Sequence, residues 1–275
     1  MLILLKASDL VDRESRSCST LPESRMHPDA LICSHPRSGG RWLRYLVSYY
    51  LASRHRLNLE LTPESVFAVV PDHHDEPRRG YPAFRFAGQR DLPLISVCHQ
   101  SYAWELHRGQ PTVFLARNAY DVVVSAYGYA RDKGQFLGTM AEFIRHPRLG
   151  LAAWVQYMNS WAPRLLTHRD VGFVSYGELN AEPTKALVRL LRFVDQRPDP
   201  DLVEAAVASG QALRNSRQIR TGQEGNFWDH LQPEEIFDIQ EAVHRDLSDV
   251  SIHMLRSIGV EVDPFPRAES DGSID

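Results

Sequence analysis

The chain has 275 residues, 43% of them hydrophobic and 24% charged, with a formal net charge of −4. That balance fits a globular α/β chain with a full core and offers no global basic field for a nucleic-acid partner. No apolar run approaches the roughly 20 residues that a bilayer-spanning helix requires, so no membrane role is expected. Cys18, Cys33 and Cys98 are the only cysteines, and no CxxC pair occurs. A disulfide framework and a zinc-thiolate site are therefore not expected, and a reducing cytoplasm is the natural setting.

In chain order, residues 1–28 are mostly polar and without period, and read as a loose N-terminal arm. Ala30-Leu-Ile-Cys-Ser34 is a short apolar run suited to a buried strand. A helix is predicted from about Gly40 to Ser53, with Leu43, Leu46, Val47, Tyr50 and Leu51 on one face. Residues 57–92, rich in Pro, His, Asp and Gly, read as mostly loop. Further strands are predicted at 94–98, 112–116 and 171–175, with helices from about Ala119 and over 182–194. The tail from Pro264 to Asp275 mixes proline, serine and acidic residues and reads as solvated and flexible. Strands alternating with helices predict one α/β domain over 29–263, a three-layer fold with a central parallel sheet flanked by helices. In such folds ligands bind at the carboxyl ends of the strands. That rim would carry the segment from Ser34 to Arg41, together with His99, Arg117 and Tyr176.

The first strand runs into His35-Pro-Arg-Ser-Gly-Gly-Arg-Trp42 and then a helix. Paired glycines let the backbone approach an anion, and the N–H groups of a helix start point at it. Arg37 and Arg41 add charge that can fork onto oxyanions. Taken alone, the same residues equally describe a Gly-rich surface turn with two solvated arginines. A Walker loop is excluded because no Gly-Lys-Ser/Thr follows, and the dinucleotide pattern G-x-G-x-x-G is also missing. Downstream, Phe114-Leu-Ala-Arg-Asn-Ala-Tyr-Asp-Val-Val-Val-Ser125 places Arg117 at a strand end and Ser125 about two turns into the next helix.

Together these segments resemble the sulfotransferases that use 3′-phosphoadenosine-5′-phosphosulfate (PAPS) and release 3′-phosphoadenosine-5′-phosphate (PAP). The first loop is similar to their Tyr-Pro-Lys-Ser-Gly-Thr-Thr-Trp, with Ser-Gly-Arg-Thr-Trp-Leu-Arg common in bacterial members. Here Arg37 stands for the usual lysine and Gly40-Arg41 where a threonine is usual. The second segment is similar to L-x-R-x-P-x-D-x-x-x-S, with Ala119 for the proline. Phe173-Val-Ser-Tyr-Gly-Glu-Leu179 resembles a strand ending in Y-E-D-L, and Arg220-Thr-Gly-Gln-Glu-Gly-Asn-Phe-Trp228 resembles R-K-G-x-x-G-x-W, with Thr221 for the lysine. In that comparison Trp228 takes the place of the tryptophan, as a packing residue. The likeness runs over about residues 29–245 and implies a P-loop-like fold.

The resemblance implies that Arg37, Ser38, Gly39, Gly40 and Arg41 hold the 5′ end of PAPS. Arg117, Ser125 and Arg220, in the segment with Thr221 and Gly222, would hold the 3′-phosphate, and Trp42 and Tyr176 would lie by the adenine. It further implies that Arg37 stabilises the leaving oxygen, that Ser125 serves both ends, and that His99 is the base. His99, in Val97-Cys-His-Gln100, is one of twelve histidines and is distinguished only by its strand end. His73-His74 has no third ligand at a clear spacing, so no metal is expected. The stretch from Gly138 to Trp161 is similar to a bacterial helix bordering the acceptor, although its aromatic stripe more often marks a core. The expected reaction is sulfuryl transfer to a hydroxyl of a small-molecule or glycan-like acceptor. Two rivals are a catalytically silent nucleotide-binding protein on the same fold and a P-loop kinase. The kinase would need a Walker lysine and magnesium ligands, for which no pattern is present.

Overall fold

A computed structural model of the chain describes residues 27–194, 196–216 and 224–264. The arm predicted over 1–28 and the tail over 264–275 lie almost wholly outside them, as do Arg220, Thr221 and Gly222. The described strands are β1 Ala30–Ser34, β2 Ile95–Cys98, β3 Thr112–Ala116 and β4 Val171–Ser175. They form one parallel sheet in the order β2-β1-β3-β4. Alternate side chains leave opposite faces of each strand. Ile32, Val113 and Leu115 share one apolar core with helices α1 (Gly40–Arg54), α7 (Pro183–Phe193) and α8 (Pro200–Asn215). Leu31, Cys33, Phe114 and Ala116 pack the other way, on α3 (Ala119–Asp132), α5 (Leu151–Thr167), α9 (Pro233–Asp246) and α10 (Asp249–Ser257). Two apolar cores therefore sandwich the sheet, as the continuous apolar strands predict.

Between β1 and β2 the chain is mostly loop, with short 3-10 turns at Ser65–Ala68 and Tyr81–Ala83. This loop also seals the sheet edge. Asp72 bridges to Val97, the Val97 N–H donates to Pro71 and the His73 N–H donates to the Val97 carbonyl. An otherwise open edge strand is thereby paired. The remaining helices are short: α2 Trp104–His107, α4 Met140–Ile144 and α6 Tyr176–Ala181. Tyr176 is thus the first residue of a helix, capped by Ser175, rather than a strand residue.

The strand order decides where a ligand goes. The chain leaves β1 for β2 on one side and returns through β3 on the other. In doubly wound sheets the crevice at that reversal, above the carboxyl ends of β1 and β3, is the binding position. Register aligns Ser34 with Leu115 and Ala116 with Ser175, so the residues just past each strand share one rim. No helix among the described residues is long and apolar enough to cross a membrane.

Candidate functional site

The loop from Ser34 into α1 sits at this reversal. Gly39 has φ +101°, and a Cβ there would meet the Tyr176 ring at 2.5 Å. A Cβ on Gly40 would meet the Ser34 hydroxyl at 2.9 Å and lie 3.6 Å from the His99 ring. Both positions therefore require glycine, on backbone conformation in the first case and on space in both. Arg37 has φ +74°, a left-handed backbone that costs an L-residue about 1–3 kcal/mol and persists where surrounding contacts enforce it. Helix α1 begins without a side-chain cap and without an acidic residue in its first turn. Its N–H groups and dipole are left for an anion. The Ser38 hydroxyl is fully buried and has no partner, a condition that an anionic oxygen would satisfy.

Opposite the loop, β3 ends at Arg117 and α3 begins. The Asn118 side chain accepts from the Asp121 N–H and starts the helix. Arg117 is buried, lies over the Tyr176 ring at 4.1 Å, and donates to the Arg37 carbonyl at 3.5 Å. It also pairs with Asp121 at 3.4 Å. Asp121 is a hub: its carboxylate accepts from Asn118 and from the backbone N–H groups of Gly225 and Phe227. It thereby pins the C-terminal segment to the rim. Arg37 donates from Nε to the Ser125 hydroxyl at 3.1 Å, and its guanidinium lies 4.9 Å from the Tyr129 ring centre. Arg37, Arg117 and Ser125 line one cleft of about 420 Å³, floored by Val124, Gly128 and Met140. Arg37 thus faces a common space with Arg117 and Ser125, which lie 80 and 88 positions away in sequence.

His99 stands just past β2, exposed toward the rim. Its Nδ1 lies 2.8 Å from the Ser34 carbonyl. A carbonyl only accepts, so Nδ1 carries the proton and Nε2 the lone pair. The surrounding protein disfavours the imidazolium and lowers its pKa, the Ser34 carbonyl opposing this, so the ring is neutral at neutral pH. His35 repeats the arrangement: its Nδ1 lies 2.9 Å from the Pro36 carbonyl, and burial pushes its pKa down to about 4.

The other expected residues are placed as follows. Arg41 is exposed at the start of α1. Trp42 is buried between α1 and α8, with the Arg214 guanidinium 4.1 Å from its ring centre. In Phe227-Trp228 it is Phe227 that is fully buried, stacked on Tyr120, while Trp228 is 49% exposed. The packing role expected of Trp228 therefore belongs to its neighbour. Trp154, Tyr157 and Trp161 of the aromatic stripe are core residues. No cluster able to hold a metal occurs among the described residues. Sequence reading missed the buried Arg44–Asp72 ion pair, which ties α1 to the sealing loop with Arg44 stacked on Phe67. An arginine two residues beyond Trp42, between the apolar Leu43 and Leu46, was the available signal. It also missed Glu224, whose carboxylate occupies the space beside Gly177 where a Cβ would stand.

Comparison with known proteins bears on this arrangement. The model of the family described as Sulfotransferase domain matches residues 111–251. The chain is 22% identical over 207 residues to human Sulfotransferase 1E1, covering 68% of this chain and 67% of that protein. It is 26% identical over 187 residues to human Sulfotransferase 4A1, covering 64% and 63%. The chain thus spans about two thirds of the length of the curated relatives it matches. Among solved structures, mouse sulfotransferase SULT7A1 complexed with PAP superposes with TM-score 0.59 and 15% identity, over 85% of this chain and 90% of that one. That likeness establishes a shared fold.

Proposed function

The chain belongs to the sulfotransferase domain family, and on that premise we propose that it transfers a sulfuryl group from PAPS to a hydroxyl acceptor. The observation that carries this reading is the convergence of Arg37, Arg117 and Ser125 on one cleft beside an uncapped helix start. The buried, unpartnered Ser38 hydroxyl fits a phosphosulfate oxygen. Ser38, Gly39, Gly40 and Arg41 hold the 5′ end of the donor, while Arg117 and Ser125, with Arg220 in the segment that includes Thr221 and Gly222, hold the 3′-phosphate. The adenine lies between Tyr176 and the Trp42 side of α1, where Arg214 offers a stacking guanidinium.

The chemistry is carried mainly by position and charge. His99 Nε2 takes the acceptor proton, while the Ser34 carbonyl holds Nδ1–H and fixes the tautomer. The acceptor oxygen forms a bond to sulfur as the bond from sulfur to the phosphate oxygen breaks. Arg37, steadied by Ser125, stabilises the charge left on that oxygen. No step calls for a metal. The mouse neighbour was solved with PAP, which supports a 3′-phosphorylated nucleotide as donor product.

The catalytic unit is a single domain over 29–263, working in the cytoplasm on small-molecule or glycan-like acceptors. The retinol dehydratase solved with retinol and PAP supports a small alcohol as acceptor class. The direct test is transfer of labelled sulfate from PAPS to a mixed alcohol and phenol panel. Labelled products are expected with the natural chain, and at least about 10²-fold less with His99→Ala while PAP still binds. Undiminished transfer by His99→Ala removes His99 from the role of base.

A further inference from the structure

The loop places two imidazoles in the same condition. His99 donates Nδ1–H to the Ser34 carbonyl and His35 donates Nδ1–H to the Pro36 carbonyl, so the two rings hang from carbonyls two residues apart at the end of β1. They are close enough to affect each other's charge. Each keeps Nε2 as a hydrogen-bond acceptor. The Tyr157 ring packs edge-on to His35 at 5.5 Å and 73°, and Tyr157 is itself stacked on Phe114, so a core residue fixes the plane of the His35 ring. Burial keeps His35 uncharged at neutral pH, with its pKa near 4, so it neither attracts the anionic donor nor repels a cation. His35 replaces the tyrosine usual at this position of the loop, and its free Nε2 can only accept, whereas a phenol O–H both donates and accepts.

We propose that His35 is a specificity-determining residue whose Nε2 accepts a hydrogen bond from a second hydroxyl of the acceptor while His99 takes the proton of the first. The acceptor is then a diol or polyol, of the sugar or catechol kind, presenting two O–H donors on neighbouring carbons. This rests on the sulfotransferase reading and narrows its substrate class. A mono-ol reaches one imidazole and forfeits the hydrogen bond that a second hydroxyl would make to the other. One such hydrogen bond corresponds to a preference of about tenfold.

The test uses the full chain saturated with PAP. Calorimetric titrations compare phenol with catechol, and cyclohexanol with cis-1,2-cyclohexanediol, for the natural chain, His35→Phe and His35→Gln. The inference expects each diol to bind the natural chain about tenfold more tightly than its mono-ol. The ratio should collapse to about twofold or less in His35→Phe and recover in part in His35→Gln, whose amide oxygen restores an acceptor. A ratio near one in the natural chain overturns the inference, as does a ratio that survives in His35→Phe. A PAP thermal shift recorded for each protein checks the fold and separates the two readings. Absence of that shift in the natural chain removes the donor assignment itself, whereas a normal shift without diol preference removes only the role of His35.

Discussion

At the scale of single residues, the site depends on groups whose state is set by one backbone atom each. The Ser34 carbonyl decides which nitrogen of His99 is basic. The surrounding protein lowers the His99 pKa, so the basic form persists to lower pH than for a free histidine. The rate at low acceptor concentration is therefore expected to rise with pH through an apparent pKa below the ordinary 6.5 and to be flat above pH 7. A midpoint above 7 would contradict this. His99→Ala is expected to lower transfer by at least about 10²-fold with PAP affinity unchanged, measured by labelled transfer and calorimetry. Asp121 has a different task. Its buried carboxylate receives three donors besides the Arg117 pair. Asp121→Ala leaves these groups unpaired and should cost about 3–5 kcal/mol in chemical unfolding. A loss under 1 kcal/mol would show that the hub is not structural.

The element that matters most is the turn from β1 into α1. Gly39→Ala introduces a Cβ into the Tyr176 ring at a positive φ, and should weaken PAP binding at least tenfold, as measured by calorimetry. Much of this element was legible before the fold was known. Glycine pairs after an apolar strand, followed by a helix with a 3.6-residue apolar face, carry a local signal. Arg117 and Ser125 were legible for the same reason, being fixed by a strand end and a helix turn. Helices α8 to α10 were not read. Their start signals were present: Asp199 before Pro200, Gln232 with Glu235 as a capping box, and Ser248 ahead of α10. Their apolar faces, however, are short and interrupted by charge, and only packing against the helices beside them makes them decisive. The Asp72 bridge to Val97 was hidden because a single paired residue in a polar loop has no period. Phe227 and Trp228 show the same limit, since two adjacent aromatics do not declare which one faces the core.

For the whole molecule, the strand order is the organising fact. A four-stranded parallel sheet with its reversal at β1 and β3 brings residues some 80 positions apart, Arg37 and Arg117, within hydrogen-bonding reach. This was foreseeable as a fold class, whereas the order of the strands was not, because parallel pairing leaves no mark on a single strand. Stability should follow the His35 imidazole. His35 titrates near 4 when folded against an ordinary 6.5, so the folded chain binds fewer protons in that window. Its contribution is fully present above about pH 6.5 and is lost as pH falls toward 4. The melting temperature should fall over that interval, and less so in His35→Phe. The central claim is that the cleft holds a nucleotide by phosphates at both ends. The most direct measurement is calorimetric titration of the chain with PAP and with 5′-AMP, which lacks only the 3′-phosphate, repeated for Arg117→Ala. The account predicts that PAP binds at least about tenfold more tightly than 5′-AMP and that Arg117→Ala removes most of that difference. Equal affinity for the two nucleotides, or a difference untouched by Arg117→Ala, would contradict it.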